Sequence, residues 1–285
     1  MNGSRLKYIF CAVALMICVV AQGQVRIYTK KSRLADFPAK TTVVMLSGNE
    51  ILDLALKNEI TSRWRVSPFD FVEAGNLEEL QSNPSIYILY LSYDKSGIVF
   101  LNLEKCGSKG GATSLSSQMN VVKVPFSPRD FTTGREISYL SAAIDIVQHY
   151  VESAIRNEAS SYASLQQFCK PLINQNKKQI FISHEDLSPG IAGRDSLVNM
   201  GTGIAFTDSF TADSLFAAGA KNALIGFCIS SSAPGPKAES YQIIVSADRH
   251  ELYYFNKSAY KKENNRGFSD KALRGIRAKH AYKQQ

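Results

Sequence analysis

His184-Glu185-Asp186 sets an imidazole beside two carboxylates, the residue types that ligate metals or move protons. Neighbouring side chains on a strand point to opposite faces, so the three cannot close on one ion without outside partners. His149, His250 and His280 share no spacing with them. Asp186, just ahead of Leu187-Ser-Pro-Gly190, also reads as a turn residue. Asp248-Arg249-His250-Glu251 gathers acid, base and cation, but at the tip of a hairpin, where polar residues serve solubility. Cys106-Gly-Ser-Lys-Gly-Gly-Ala-Thr-Ser114 has the glycines of a phosphate loop, yet Lys109 precedes the glycine pair. A phosphate loop needs Lys directly before the Ser/Thr that opens a helix. The chain holds no Gly-x-Ser-x-Gly elbow and no carboxylate pair set in an apolar run. These patterns name no catalytic residue, no metal ligand set and no cofactor. Four positions remain as binding candidates: Arg63 and Arg65, which flank the only tryptophan, together with His184 and Asp186.

Arg63 and Arg65 stand at the end of a helix. Ser47 and Glu50 are spaced as a capping box, and Ile51, Leu52, Ala55, Leu56 and Ile60 form an apolar stripe behind it. Asp53 and Lys57 are spaced as an exposed ion pair. The pattern then alternates, so Trp64, Val66, Phe69 and Phe71 face inward while the arginines face out. Trp64 is expected to cap the core, with a ligand platform as the alternative reading. Val43–Leu46, Ile86–Ser92, Ile98–Leu103 and Met119–Phe126 read as strands, with a short helix over Leu77–Gln81. Ile137, Leu140, Ile144, Val147, Val151 and Ala154 make a heptad seam. Such a seam serves either a helical hairpin packed on a sheet, with Tyr162 to Leu172 as its second arm, or a homodimer through Ile137–Ala154.

Ile180–Ser183, Ala212–Ala220, Ala223–Ser230, Tyr241–Ser246 and Leu252–Asn256 continue the strand and helix alternation. The hairpin beginning at Tyr87 can be laid over the one beginning at Tyr241, an offset of 154, which raises internal duplication. The fold class expected is mixed α/β: two sandwich-like lobes of mixed or antiparallel sheet with packed helices. The divisions run 24–130 for a first lobe, 131–176 for a linking helical hairpin, 177–260 for a second lobe, and 261–285 for a basic tail.

Residues 1–23 read as an export signal. Arg5 and Lys7 precede the apolar run Ile9–Val20, and Ala21-Gln22-Gly23 offers small residues for cleavage. The chain is therefore expected in the periplasm or outside the cell, beginning at Gln24. Cys106, Cys169 and Cys228 would remain, too few for a disulfide scaffold and allowing at most one bridge. Charge is uneven: residues 257–285 carry nine Lys/Arg against two acids, while residues 24–256 are nearly neutral. The tail reads first as a solvated basic terminus, with contact to an anionic envelope surface or a nucleic acid as the alternatives.

The run Val43-Val-Met-Leu46, the helix after it and Trp64-Arg-Val-Ser-Pro-Phe69 resemble the opening strand–helix–strand of TolB-type and curli-secretion-type envelope domains. They are also similar to exported proteins of the Bacteroidota. The likeness covers about 60 residues and carries no functional motif. It implies an envelope protein that acts by contact, binding an envelope or cell-surface protein or an anionic surface polymer, without nucleic acid. An exported hydrolase with a site assembled from loops is the alternative function.

Overall fold

Ten strands and seven helices make up the described part of this computed structural model, residues 34–75, 77–107, 119–130, 134–191 and 203–280. The signal-like segment and most of the Cys106–Ser114 loop lie outside those residues. Strand β1 (Thr41–Met45) leads through α1 (Glu50–Arg63) to β2 (Phe69–Val72), and α2 (Leu77–Ser82) leads to β3 (Ile86–Tyr93), β4 (Ile98–Lys105) and β5 (Met119–Pro128). Their order is β2-β1-β3-β4-β5, parallel across the first three and antiparallel across the last two pairs. After α3 (Arg135–Ser138), α4 (Leu140–Arg156) and the single turn α5 (Leu165–Phe168) come β6 (Gln179–Ser183) and β7 (Ile204–Thr207). Helix α6 (Ser209–Ala217), β8 (Ala223–Ser230), β9 (Glu239–Ser246), β10 (Leu252–Ala259) and α7 (Asp270–Lys279) complete the chain. The second sheet runs β7-β6-β8-β9-β10 with the same pattern of parallel and antiparallel pairs.

The two halves therefore repeat one topology. The repeat equates β1 with β6 and β3 with β8, so Ile86 corresponds to Ala223, an offset of 137. The hairpin likeness at 154 lays β3 over β9, strands of different rank. Two antiparallel hairpins of similar length look alike in sequence whichever rank they hold.

Side-chain alternation sorts each sheet into two faces. Val44, Tyr87 and Leu89 of the first sheet pack with Leu52, Leu56 and Ile60 of α1 and with α4. Val43, Ile86, Ile88 and Tyr90 point the other way, under Leu77 and Leu80 of α2. In the second sheet Ile225, Phe227, Ile243 and Val245 join the same central core, with Phe216 of α6. Ile180, Ile182, Leu224 and Ile244 face outward, beneath Leu273 and Ile276 of α7 and Phe268. The layers run α2, first sheet, central helices, second sheet, α7. The helix joining the first two strands (α1) lies on the inner face of its sheet, whereas the connection after β6, with Leu187 and Ile191, lies on the outer face. The halves stack head to tail.

Local details in part depart from the sequence reading and in part, as at Trp64, agree with it. Asn49, not Ser47, caps α1, its side chain accepting from the Leu52 amide at 3.1 Å. Asp53 is buried instead of paired with Lys57, because its carboxylate collects Ser47 N, Ser47 Oγ and Gly48 N at 2.7 to 2.9 Å. Trp64 is 2% exposed and belongs to the central core, donating Nε1–H to Ser67 Oγ at 3.0 Å. From Leu140 onward the heptad seam is buried inside the chain, with Leu140, Ile144, Val147, Val151 and Ala154 each 0% exposed, while Ile137 at its start is exposed. Beyond α4 the chain makes short turns and not a second long helix, since Ser160-Ser161 and Pro171 interrupt the pattern. Phe268 to His280 is an integral layer of the second sheet, not a separable tail.

Candidate functional site

An open sheet binds ligands at the carboxyl ends of its strands, where the chain's direction of winding reverses. In the second half that point lies between β6 and β8, because β7 is added on one side of β6 and β8 on the other. A cleft of about 180 Å³ opens there. Its walls include Glu185 and Asp186 after β6, Phe227 to Ser232 at the end of β8, and Phe126 and Pro128 at the end of β5. Arg135, Glu136, Tyr139 and Arg266 close it. In the equivalent turn of the first half, after β1, the Asp53 carboxylate folds the Ser47-Gly48 turn onto α1. A single turn of 3-10 helix, His184–Asp186, stands in that place after β6 and turns Asp186 inward.

Arg135 is the hub. Its guanidinium grips Asp213 on α6 through Nε–Oδ2 and Nη2–Oδ1, both 2.9 Å, a fork-on-fork pair. Nη1 and Nη2 also reach Asp186 Oδ2 at 3.3 and 3.4 Å, and Nη1 lies 3.9 Å from Glu185. Asp186 accepts further from Ser183 Oγ at 2.6 Å and from the Cys228 amide at 2.9 Å. Tyr139 donates to Asp213 at 2.6 Å and stacks its ring on Phe227 at 4.1 Å. Burial raises the Asp186 carboxyl above its ordinary value, with Arg135, Ser183 and the Cys228 amide pulling against it. Burial disfavours the charged Arg135, but the hydrogen bonds and charges of Asp213 and Asp186 outweigh it and hold the guanidinium protonated. Burial and the neighbouring carboxylates raise the Cys228 thiol and the Tyr139 phenol, so both stay protonated at neutral pH.

Gly267 ties the far wall to this network. Its φ is +74°, and a Cβ there would stand 2.5 Å from the Asp186 carbonyl oxygen, so only glycine fits. The close approach lets the Phe268 amide donate to that carbonyl at 2.8 Å.

Of the four binding candidates, only Asp186 lines the cleft. His184 is exposed and lies 6.5 Å from the Phe206 ring. Arg63 and Arg65 serve a different cluster, at the end of α1. Arg63 Nη1 pairs with Asp145 Oδ2 at 3.0 Å, and the Arg65 guanidinium caps the Trp64 carbonyl at 2.7 Å. His250 Nδ1 meets the same Asp145 oxygen at 2.7 Å, while its ring lies flat on Phe216 at 4.6 Å. His250 is buried with φ +52°, not the exposed tip residue the hairpin pattern suggests. This cluster joins α1, α4 and the β9–β10 turn, and so clamps the two halves together.

Arg135, Tyr139, Asp213, Ser230–Ser232 and Arg266 carry no motif that sequence reading could find. The signal available was topological: the residues after the first and third strands of the second repeat. Among the described residues no three His, Cys, Asp or Glu side chains are arranged to hold a metal ion, and Cys106, Cys169 and Cys228 are free thiols. No described helix is long and apolar enough to cross a membrane. What fold and site define is a mixed α/β protein of two sheets with the same strand order and a switch-point cleft in the second. No protein-family model, curated protein or solved structure matches this chain.

Proposed function

We propose that the protein is an exported envelope protein that works by binding, without catalysis, and that the cleft after β6 and β8 receives its ligand. The observation that carries this reading is the state of the cleft's reactive groups. Cys228 and Tyr139 are held protonated, and Arg135 is already spent on two carboxylates. Nucleophilic catalysis needs a thiolate or an oxygen beside a base. Within this cleft, these groups do not supply one. Hydrogen bonding is what the lining offers, through the exposed Ser232 and Glu185, while the Ser230 hydroxyl donates to Ser240 and that of Ser231 to the Ser96 carbonyl.

The ligand fitted by this lining is small, polar and cationic. Asp130, Glu136, Glu185 and Asp186 outnumber Arg135 and Arg266 among the lining residues, and Asp213 takes up Arg135 from behind. An amine or guanidinium would pair with Glu185 at the mouth, where exchange with water costs little. The export signal and the resemblance to envelope domains support the compartment.

Thermal denaturation of the mature chain with argininamide, spermidine, acetate or phosphate tests this. A cationic ligand at about 100 times its Kd should raise Tm by roughly 5–10 °C, and Glu185→Gln should remove most of that rise. Stabilisation by the anions alone would overturn the charge assignment. Turnover of ester or peptide substrates, lost in Arg135→Met, would replace the binding function by the hydrolase.

A further inference from the structure

Seven cations and two acids lie between Lys261 and Lys279, the strap before α7 and the helix itself. Leu273 and Ile276 turn into the core at 0% exposed, so the opposite side of α7 is the outer surface of the molecule. That side presents Lys271, Arg274 and Arg277, with Gly275 and Ala278 between them, all exposed. Successive members of this row stand about 4.5 Å apart along the axis at a helical rise of 1.5 Å per residue. Lys261, Lys262 and Arg266 extend the same charge along the strap. Arg274 pairs with Asp270 at 2.7 Å, which fixes its place in the row. The remainder of the chain from Gln24 to Asn256 is nearly neutral, so the charge is concentrated on one layer of the fold.

We infer that this face docks on a membrane surface rich in anionic phospholipid headgroups. The glycine and alanine leave a floor no higher than the cations around it, so several phosphates can approach together. The apolar residues of α7 are committed to the second sheet, and binding is electrostatic, without insertion of the helix. The exposed residues of strap and helix include no aromatic side chain, Tyr260 and Phe268 being buried. This disfavours a single-stranded nucleic acid, whose bases would be stacked on exposed rings. Arg266 also lines the cleft, so docking holds the cleft's edge beside the headgroups.

Sedimentation of the mature chain with vesicles tests the assignment. Phosphatidylglycerol vesicles should retain the protein at low salt and phosphatidylcholine vesicles should not. Raising the salt to about 0.5 M should release it, since the Debye length then falls well below 10 Å. Lys271→Gln, Arg274→Gln and Arg277→Gln together change only exposed side chains, and should weaken partitioning roughly a hundredfold, about fivefold for each charge lost. Lys95→Gln, Lys221→Gln and Lys237→Gln make the same change in net charge on other surfaces and should leave it nearly unaltered. Equal loss in the two triple variants would reduce the effect to net charge and overturn the face. Equal binding to both vesicle types, or binding to soluble polyphosphate with none to vesicles, would overturn the headgroup assignment.

Discussion

Replacing Arg135 by methionine removes the cation that two carboxylates share while keeping most of the stem over the Tyr139 ring. Asp213 tolerates the loss, because its side chain is 22% exposed and the Tyr139 hydroxyl still donates to it. Asp186 does not. Its side chain is 5% exposed, and only Ser183 Oγ and the Cys228 amide would remain. Stranding one member of a buried pair costs about 3–5 kcal/mol, and the two surviving donors place this case near about 3 kcal/mol. The sign of the pH dependence follows. Asp186 already has a raised folded pKa, and losing Arg135 raises it further. A raised carboxyl contributes stability that is full below the unfolded value of 3.8 and is lost as pH rises through the folded value. The variant should therefore lose most at pH 7.5 and recover toward pH 5, by about 1.4 kcal/mol for each unit of further shift. Urea unfolding followed by Trp64 fluorescence at the two pH values measures this. Asp186→Asn should rescue Arg135→Met, since the amide can accept from Cys228 N and donate to Ser183. An Arg135→Met variant within about 0.5 kcal/mol of the parent, or a penalty independent of pH, would refute the reasoning.

Gly267→Ala should cost on the order of 2–3 kcal/mol, from a left-handed φ and a clash with the Asp186 backbone, and should weaken cleft binding; calorimetry of both reads the two effects. Trp64→Ala should cost about 3–5 kcal/mol and Trp64→Phe about 1 kcal/mol through the lost bond to Ser67, and the parent's emission should be that of a buried indole. A chain ending at Ser269 loses Leu273 and Ile276 from the second sheet, so it should unfold at markedly lower urea than the parent. Intact mass of natively produced protein should show a chain beginning near Gln24, and full-length protein in the cytoplasm would remove the export argument.

Periodicity carried the sequence reading where burial is one-sided. The helix behind Trp64 and the core role of the tryptophan follow from spacing and alternation, whereas the strands around Ile86 and Ile225 show as continuous apolar runs because both their faces are buried. The heptad of α4 was legible as a pattern but not as a destination. A seam packed between two sheets and one packed on another chain carry the same residues. The strand β7, at Ile204–Thr207, is too short to announce itself. The site was less legible than the fold. Asp186 looked like a turn residue, and it is one. Its second task depends on Arg135 and Asp213, 51 residues before and 27 after it, and local spacing cannot encode that meeting.

The carboxylates after the first strands of the two halves are put to different uses. In the first half the turn after β1 runs directly into α1, and Asp53 three residues into that helix collects the turn's amides. The carboxylate that might face a ligand is used to fold its own loop. In the second half the turn after β6 makes one round of 3-10 helix, so its carboxylate has no such amides to collect. Asp186 is aimed across the switch point instead, and must be balanced by a cation. That cation comes from Arg135, in the segment joining the halves. Head-to-tail stacking also brings the end of β5 against β8 and adds a wall that only a first half can provide. An isolated second half would retain Asp186, Asp213 and the serines but lose Phe126, Pro128 and Arg135. The cleft thus depends on both halves.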